Sequence, residues 1–378
     1  MRLEELRAKI NALDLELLRL LNRRAEFALR VGESKKDAGV HLCDHTRERD
    51  VIERMSEANE GPLDDRAVIE LFRAIIHESR RIQTRATAAA SDVETAHRLN
   101  RHRVRVAFQG APGAFSEEAA VKLLGEEITL VPRPTFESLF AAINDKSAEY
   151  ILAPIENSIA GFVHPSFDQL LDSKLFIIGE VIIPISHCLI GCADSSFEMI
   201  GAVESHPVAL DQCRQFLTAN PQIKRVAAED TAGSVALIIA QRDPTRAAIA
   251  GWRAAEKYGG KILREHLEDS SENYTRFLLL SPDKDSAKDA NQLSLVIELP
   301  HQPGALHSAL EPFARRGIDL LKIEGRPVKG RPWEYCFYLD VRGSTSDVEV
   351  VDTLNELKVR RVETRILGAY RSAAVPPN

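Results

Sequence analysis

Leu3, Leu6, Ile10, Leu13, Leu17, Leu20, Phe27 and Val31 recur at steps of three, four or seven residues, the spacing that lines one face of a long helix. Two further stretches read as helix, about Thr46 to Ala58 and about Asp64 to Arg85. The second opens after Gly61-Pro62 with an acidic first turn that suits a helix N-terminus. Three helices of such unequal length make a poor core by themselves, so a second copy of the chain is expected to cover the seam. From Thr84 to Arg103 the chain is rich in Ala, Ser, Thr and Arg with few large apolar residues, which reads as a helix tail passing into a linker.

Beyond that linker the period changes. Val104 to Phe108 reads as a strand, Gly110 to Gly113 as a turn and Ser116 to Leu124 as a helix, and strands recur at Tyr150 to Pro154, Leu175 to Pro184, Met199 to Val203 and Ala247 to Ala250. That alternation predicts an α/β domain. A polar stretch, Ser281 to Asp285, closes it. Then come a strand at Leu293 to Leu299, a helix at Ala305 to Arg316, strands near Leu320 to Gly325 and Glu334 to Val341, a helix from about Thr345 to Leu357 and a strand near Arg361 to Leu367. The order βαββαβ describes a ferredoxin-like α+β domain. Three units are therefore expected, at 1–90, 104–281 and 292–370, in keeping with a chain of 378 residues and 44% hydrophobic content, which exceeds one ordinary core.

The formal charge of −7 argues against a nucleic-acid partner, which wants a basic surface. Five scattered cysteines, Cys43, Cys188, Cys192, Cys213 and Cys336, do not form the close-spaced even set of a secreted scaffold, and reduced thiols fit better. The N-terminus enters a charged helix directly and no apolar run approaches a membrane span. A soluble cytoplasmic protein with small-molecule partners is expected, without nucleic acid or membrane. Cofactor motifs are missing as well: Gly110-Ala111-Pro112-Gly113 matches neither GxGxxG nor GxxxxGK[ST] and reads as a tight turn. His41, Cys43, Asp44 and His45 stand at close spacing, but no second ligand cluster accompanies them. No metal or cofactor is expected.

Polar residues interrupt the helical stripes. Arg24 occupies the row of Leu3, Ile10, Leu17 and Val31, and a buried guanidinium needs an anionic partner. On the third helix Ser79 and Gln83 break the stripe of Val68, Phe72, Ile75, Ile76 and Ile82. Two readings fit: a structural network in which a carboxylate such as Glu48 neutralises Arg24, or a pocket for an anionic ligand. In the α/β part, Pro154-Ile155-Glu156-Asn157-Ser158, Ser205-His206-Pro207 and Asn273-Tyr274-Thr275-Arg276-Phe277 each set small polar groups beside a turn-forming or strand-ending residue. Loops at the mouth of a cleft present ligand-binding groups in this way.

In this order, with Thr275-Arg276-Phe277 intact, the three motifs resemble prephenate dehydratase. Leu6-Arg7 to Asp14, Arg24, Gly32 to Lys35, Asp44 with Arg47-Glu48-Arg49-Asp50, and Ser79 with Gln83 resemble the all-helical chorismate mutase signature. Gly304-Ala305-Leu306 and Glu324-Gly325-Arg326-Pro327 resemble the two phenylalanine-binding motifs of an ACT regulatory domain. The whole chain thus resembles the bifunctional chorismate mutase/prephenate dehydratase family.

The resemblance implies an all-α mutase domain, a dehydratase domain of two subdomains like a type II periplasmic binding protein, and an ACT domain, in a homodimer or higher homo-oligomer. It implies that Arg7, Arg24 and Arg47 hold the carboxylates of chorismate, Lys35 and Gln83 meet the ether oxygen, and Asp44, Glu48 and Ser79 bind the ring hydroxyl and nearby groups. Clamping and charge stabilisation suffice for a pericyclic step, so no nucleophile is needed. In the dehydratase it implies Thr275 as hydrogen-bond donor to the departing hydroxyl, with Glu156, Asn157, Ser158, Ser205, His206 and Gln212 facing one cleft. Arg276 either counters a carboxylate or makes a structural ion pair. Phenylalanine is the implied feedback effector, held by Gly304, Ala305, Leu306, Glu324, Arg326 and Pro327, with His307 and Gly325 departing from the usual motifs. Two alternatives stand beside this: Asp230 to Ser234 resembles arogenate dehydratases, and a non-catalytic metabolite sensor would share the architecture.

Overall fold

The computed structural model describes residues 3–37, 51, 54–56, 58–59, 61–65, 67–69, 71–72, 75, 104–284, 287, 289–328, 330–331 and 333–374, without the side chains of Leu3, Glu4, Leu6, Ala8 and residues 32–37. Two compact units divide after residue 91. In the first, α1 (Leu3–Asp37) is one uninterrupted helix of 35 residues. Leu21, Arg24, Ala25, Ala28 and Leu29 are half-buried, whereas Ile10, Leu13, Leu17, Leu20, Phe27 and Val31 remain exposed, Leu13 at 63%. Among the described side chains, six of the seam that defines this helix in the sequence are therefore exposed. Most of the second and third expected helices lies outside the described residues.

The second unit begins with two sheets. In the first sheet the order is β2 (Thr129–Arg133), β1 (Arg105–Gln109), β3 (Tyr150–Asn157), β11 (Tyr274–Ser281), β5 (Phe176–Pro184), with β4 (Gly161–Phe162) paired to β3. The second sheet runs β8 (Lys224–Ala227), β7 (Ala202–Ser205), β9 (Arg246–Ala250), β6 (Cys188–Gly191), β10 (Lys261–Arg264). Apart from the short β4, which runs antiparallel to β3, each sheet contains one strand antiparallel to both its neighbours, β11 in the first and β6 in the second. The chain crosses from one lobe to the other after β5 and returns after β10, and each crossing delivers that antiparallel strand. This is the two-lobed arrangement of type II periplasmic binding proteins, as expected.

The central strands are buried on both faces, so Ile151-Leu152-Ala153 and Leu278-Leu279-Leu280 read as continuous apolar runs rather than alternating ones. Helices α2 (Phe115–Leu124), α3 (Phe136–Asn144) and α4 (His164–Asp172) belong to the first lobe, and α5 (Pro207–Gln212), α6 (Arg214–Ala219), α7 (Thr231–Gln241) and α8 (Trp252–Tyr258) to the second. Where the crossings pass each other they are hydrogen-bonded: Ile185 N donates to Asn273 O at 2.7 Å and Leu267 N to His187 O at 3.0 Å.

The third domain is a four-stranded antiparallel sheet ordered β13 (Leu320–Pro327), β14 (Tyr335–Arg342), β12 (Gln292–Leu299), β15 (Glu363–Tyr370). With α9 (Ala305–Arg315) and α10 (Val348–Val359) it gives the expected βαββαβ order. One face of the sheet packs on its own helices through Leu293, Leu295, Ile297, Phe313 and Leu339. The opposite face, with Val296, Tyr338, Leu367 and Tyr370, shares a single core with Phe167, Leu170 and Ile177 of the first lobe. Tyr338 meets Phe167 edge-on at 5.0 Å, a favoured aromatic geometry. A Cβ on Gly368 would collide with the backbone of Ile177, so the closest approach of the two sheets requires glycine there.

Candidate active site

A cleft of about 490 Å³ lies between the two lobes. Thr275 and Phe277 line it from β11, two residues apart as strand geometry requires, and Pro154 and Asn157 line it from β3. The latter pair are three positions apart, which would ordinarily put them on opposite faces. A bulge resolves this: Arg276 pairs with Glu156 but Phe277 pairs with Pro154, so Ile155 is the extra residue that re-aims the strand.

Strand alternation then sorts the flanking charges away from the cleft. Arg276 points to the opposite face, where its Nε donates to Glu180 at 2.6 Å, Nη1 to Asp340 at 2.7 Å and Nη2 to the Tyr370 hydroxyl at 2.9 Å. Glu156 is ion-paired with Lys322 of β13. Ser158 Oγ is tied to the backbone of Glu272 and Tyr274, and Ser205 Oγ donates to Ile249 O at 2.6 Å. Of the residues expected to share one cleft, Asn157, His206, Gln212 and Thr275 are brought together, whereas Glu156, Ser158, Ser205 and Arg276 are spent on structural contacts elsewhere. For Arg276 the geometry decides between its two readings in favour of the ion pair. Thr275 also differs from expectation in standing inside a central strand rather than on a loop.

The cleft residues form a directed hydrogen-bond chain. His187 Nε2 lies 2.9 Å from Gln212 Oε1, an acceptor, so that ring nitrogen carries the proton. Gln212 Nε2 donates to Asn157 Oδ1 at 3.4 Å, and the two Nδ2 hydrogens of Asn157 are shared among three acceptors, Asn273 Oδ1 at 2.7 Å, Tyr274 O at 3.0 Å and Thr275 Oγ1 at 3.0 Å. With Thr275 Oγ1 taking a share of one N–H as acceptor, its own proton is left to donate. His187 is 2% exposed, and burial pushes its pKa below the ordinary imidazole value, so it is neutral at neutral pH. Phe115 meets its ring edge-on at 5.6 Å. His187 was missed by sequence reasoning, although it follows a strand ending in Pro184 much as His206 follows Ser205.

Asp230 joins the lobes across the cleft. Its Oδ1 caps α7 by accepting from Gly233 N at 2.7 Å, and its Oδ2 accepts from Ala111 N at 3.0 Å. The glycines of the 110–113 turn serve the same approach: Gly113, at φ +88°, has room for a Cβ only at 2.8 Å from Ala254 Cα. The titratable groups on the lining are His164, His187, His206, Glu229 and Asp230, with no lysine or arginine among the described residues. The lining also includes Ala114, Phe115 and Ser116 at the start of α2, whose N-cap Ala114 supplies no side-chain cap, and a helix N-terminus of that kind favours negative charge.

Elsewhere, Arg7 is exposed on α1 and Arg24 donates to Ile75 O at 3.5 Å. Lys35 lies on α1 with its side chain undescribed. Asp44, Arg47, Glu48, Ser79 and Gln83 lie outside the described residues, as do His41, Cys43 and His45. In the third domain Gly304, at φ +79°, precedes α9, which Ala305 and Leu306 begin. Glu324, Arg326 and Pro327 stand on the edge strand β13. A Cβ at Gly325 would meet Phe337 at 3.3 Å. The Arg326 guanidinium is turned to the first lobe, where it pairs with Asp168. Cys188 is buried, which pushes its thiol up to about 11, as suits a core residue. No helix among the described residues is long and apolar enough to cross a membrane.

Three family models match the chain in succession: chorismate mutase type II over residues 6–84, prephenate dehydratase over 106–285 and the ACT domain over 293–359. The bifunctional chorismate mutase/prephenate dehydratase of Aquifex aeolicus is 34% identical over 376 residues, covering 98% of each chain. Among solved structures, prephenate dehydratase from Arthrobacter aurescens in complex with L-Phe superposes with a TM-score of 0.66 at 31% identity, covering 71% of this chain and 90% of that one. GqqA, described as a novel type of quorum quenching acylase, superposes with a TM-score of 0.65 at 32% identity, covering 71% and 98%. Full-length similarity and three domains in the same order lead to one conclusion: the chain belongs to the bifunctional chorismate mutase/prephenate dehydratase family.

Proposed function

We propose that the chain catalyses two consecutive steps towards phenylalanine, rearranging chorismate to prephenate in residues 1–90 and converting prephenate to phenylpyruvate in the cleft of residues 104–281. Residues 292–370 serve as the regulatory domain, through which phenylalanine inhibits. The observation that carries the dehydratase reading is the direction of the hydrogen-bond chain ending at Thr275. In the reaction the bond from the ring to its carboxylate breaks, releasing CO2, and its electron pair enters the ring. The bond to the ring hydroxyl breaks with it, and aromatisation drives both. The hydroxyl leaves as hydroxide and ends as water, so it needs a donor positioned as charge develops. A threonine hydroxyl is a weak acid, and Thr275 acts as a positioned hydrogen-bond donor in the cleft between the lobes rather than as a full proton source.

For the mutase, Arg7, Arg24 and Arg47 hold the substrate carboxylates, Lys35 and Gln83 the ether oxygen, and Asp44, Glu48 and Ser79 the ring hydroxyl and its surroundings. The exposed seam of α1 supports a homodimer in which a second chain covers it, with Arg7 reaching the partner's site. Gly304 to Leu306 and Glu324 to Pro327 form the phenylalanine site. A cytoplasmic location accords with reduced thiols. A second dehydratase substrate is favoured by one observation: among the described residues the cleft lining carries Glu229 and Asp230 and no lysine or arginine. Arogenate, whose side chain bears an ammonium, suits such a lining.

The test is to give the purified chain chorismate, with and without phenylalanine, and to resolve the products by chromatography. Phenylpyruvate that falls when phenylalanine is added is the expected result. Prephenate accumulating unchanged would remove the dehydratase reading, and arogenate would then be tried. Intact chorismate would remove the mutase.

A further inference from the structure

Two cations four positions apart on the regulatory strand β13, Lys322 and Arg326, reach into the wall of the dehydratase cleft. Arg326 grips Asp168 of α4 through Nε and Nη2, at 3.0, 2.6 and 2.7 Å. That leaves Nη1, which donates to His164 Nδ1 at 3.1 Å. A guanidinium has no acceptor, so Nδ1 carries the lone pair, and the proton of a neutral His164 ring sits on Nε2. Lys322 pairs with Glu156 and stands 4.3 Å over the ring of Phe162, which stacks on His164 at 6.4 Å with the planes 18° apart. Phe162 and His164 both line the substrate cleft. The two cations occupy equivalent positions of the strand, which returns the same face every second residue. The strand is held by β14 alone, since β13 is the edge of its sheet.

We propose that Arg326 and Lys322 are positioning residues of the dehydratase site. They fix His164 as an Nε2–H donor, and Phe162 as an apolar wall, against the bound substrate. Among the described residues the cleft lining has no lysine or arginine, so His164 contributes a donor there, and Arg326, by occupying the other nitrogen, keeps that proton on Nε2. This rests on the dehydratase reading and assigns to Arg326 a task in that site beside the effector role implied for its motif. Asp168 is the third member, because its two oxygens set the guanidinium's orientation.

The experiment measures kcat and KM for prephenate separately in the full-length chain and in Arg326→Gln, Arg326→Lys, Asp168→Asn, His164→Ala and the Arg326→Gln/His164→Ala pair. Phenylalanine binding is followed calorimetrically in each. Arg326→Gln is expected to raise KM about tenfold, the loss of roughly one charge-assisted contact, with kcat changed less than about twofold. Arg326→Lys should recover part of the loss, and the double variant should be no worse than His164→Ala alone, because both changes remove one contact. If Arg326→Gln fails to fold, Asp168→Asn carries the same expectation at smaller size. Wild-type KM in folded Arg326→Gln or Asp168→Asn, or additive losses in the double variant, would overturn the inference while leaving the dehydratase reading intact. A wild-type chain that forms no phenylpyruvate would overturn that reading and this inference together.

Discussion

Replacing Arg276 with methionine should destabilise the second unit strongly, and more so as pH rises. The side chain is 12% exposed, and it is shared between Glu180 and Asp340, whose side chains are 3% and 2% exposed. Removing the cation leaves two buried carboxylates facing each other, and losing one member of a buried ion pair typically costs about 3–5 kcal/mol. For a unit spanning residues 92–376 that corresponds to a fall in Tm of roughly 5–8 °C. The pH dependence follows from Glu180. Burial already pushes its pKa above the ordinary carboxylate value, against the pull of Arg276, and without that pull it rises further. A carboxyl with a folded pKa above its unfolded one stabilises the fold below the unfolded value, and that contribution is lost as pH rises through the folded value. The variant's deficit should therefore be smaller at pH 5 than at pH 8. Calorimetric unfolding of the full-length protein at both values is the assay. A deficit under about 1 kcal/mol, or one equal at both pH values, would refute the reasoning that the three groups form one buried charge network.

Other consequences follow from the cleft. Asn157→Asp keeps the shape but turns the Nδ2 donor into an acceptor, so the Thr275 proton should swing to the new carboxylate and kcat should fall by about 10²-fold; wild-type kcat would dismiss the directed chain. Thr275→Ser keeps the donor and should stay within about tenfold of wild type, measured as phenylpyruvate formation. Gly113→Ala combines a positive φ with a contact 2.8 Å from Ala254, and a loss of about 1–3 kcal/mol should appear in thermal unfolding; an unchanged Tm would mean the lobes are not held together at that turn.

Runs such as Leu293 to Leu299 and Tyr150 to Pro154 were readable as strands because both faces are buried and the runs are apolar. The edge strands β8 and β10 were not, since three of four residues in each are exposed and no apolar pattern marks them. Strand β11 is not legible at Asn273 to Phe277, because its polar start hides a strand that is buried only when the chain returns from the second lobe. The family resemblance points to Thr275, Asn157, His206 and Gln212, and the four line one cleft. The orientation of Glu156 and Arg276 was not legible, because it depends on the bulge at Ile155, which arises from pairing between segments more than a hundred residues apart. Within α1, the seam was legible, but which side of the helix one chain covers by itself was not.

Thr275→Ala supplied with chorismate tests the central claim most directly, with chorismate, prephenate and phenylpyruvate followed over time. Chorismate should disappear at the wild-type rate while prephenate accumulates and phenylpyruvate formation drops by about 10²- to 10³-fold. Phenylpyruvate appearing at the wild-type rate would contradict the placement of the dehydratase chemistry at Thr275.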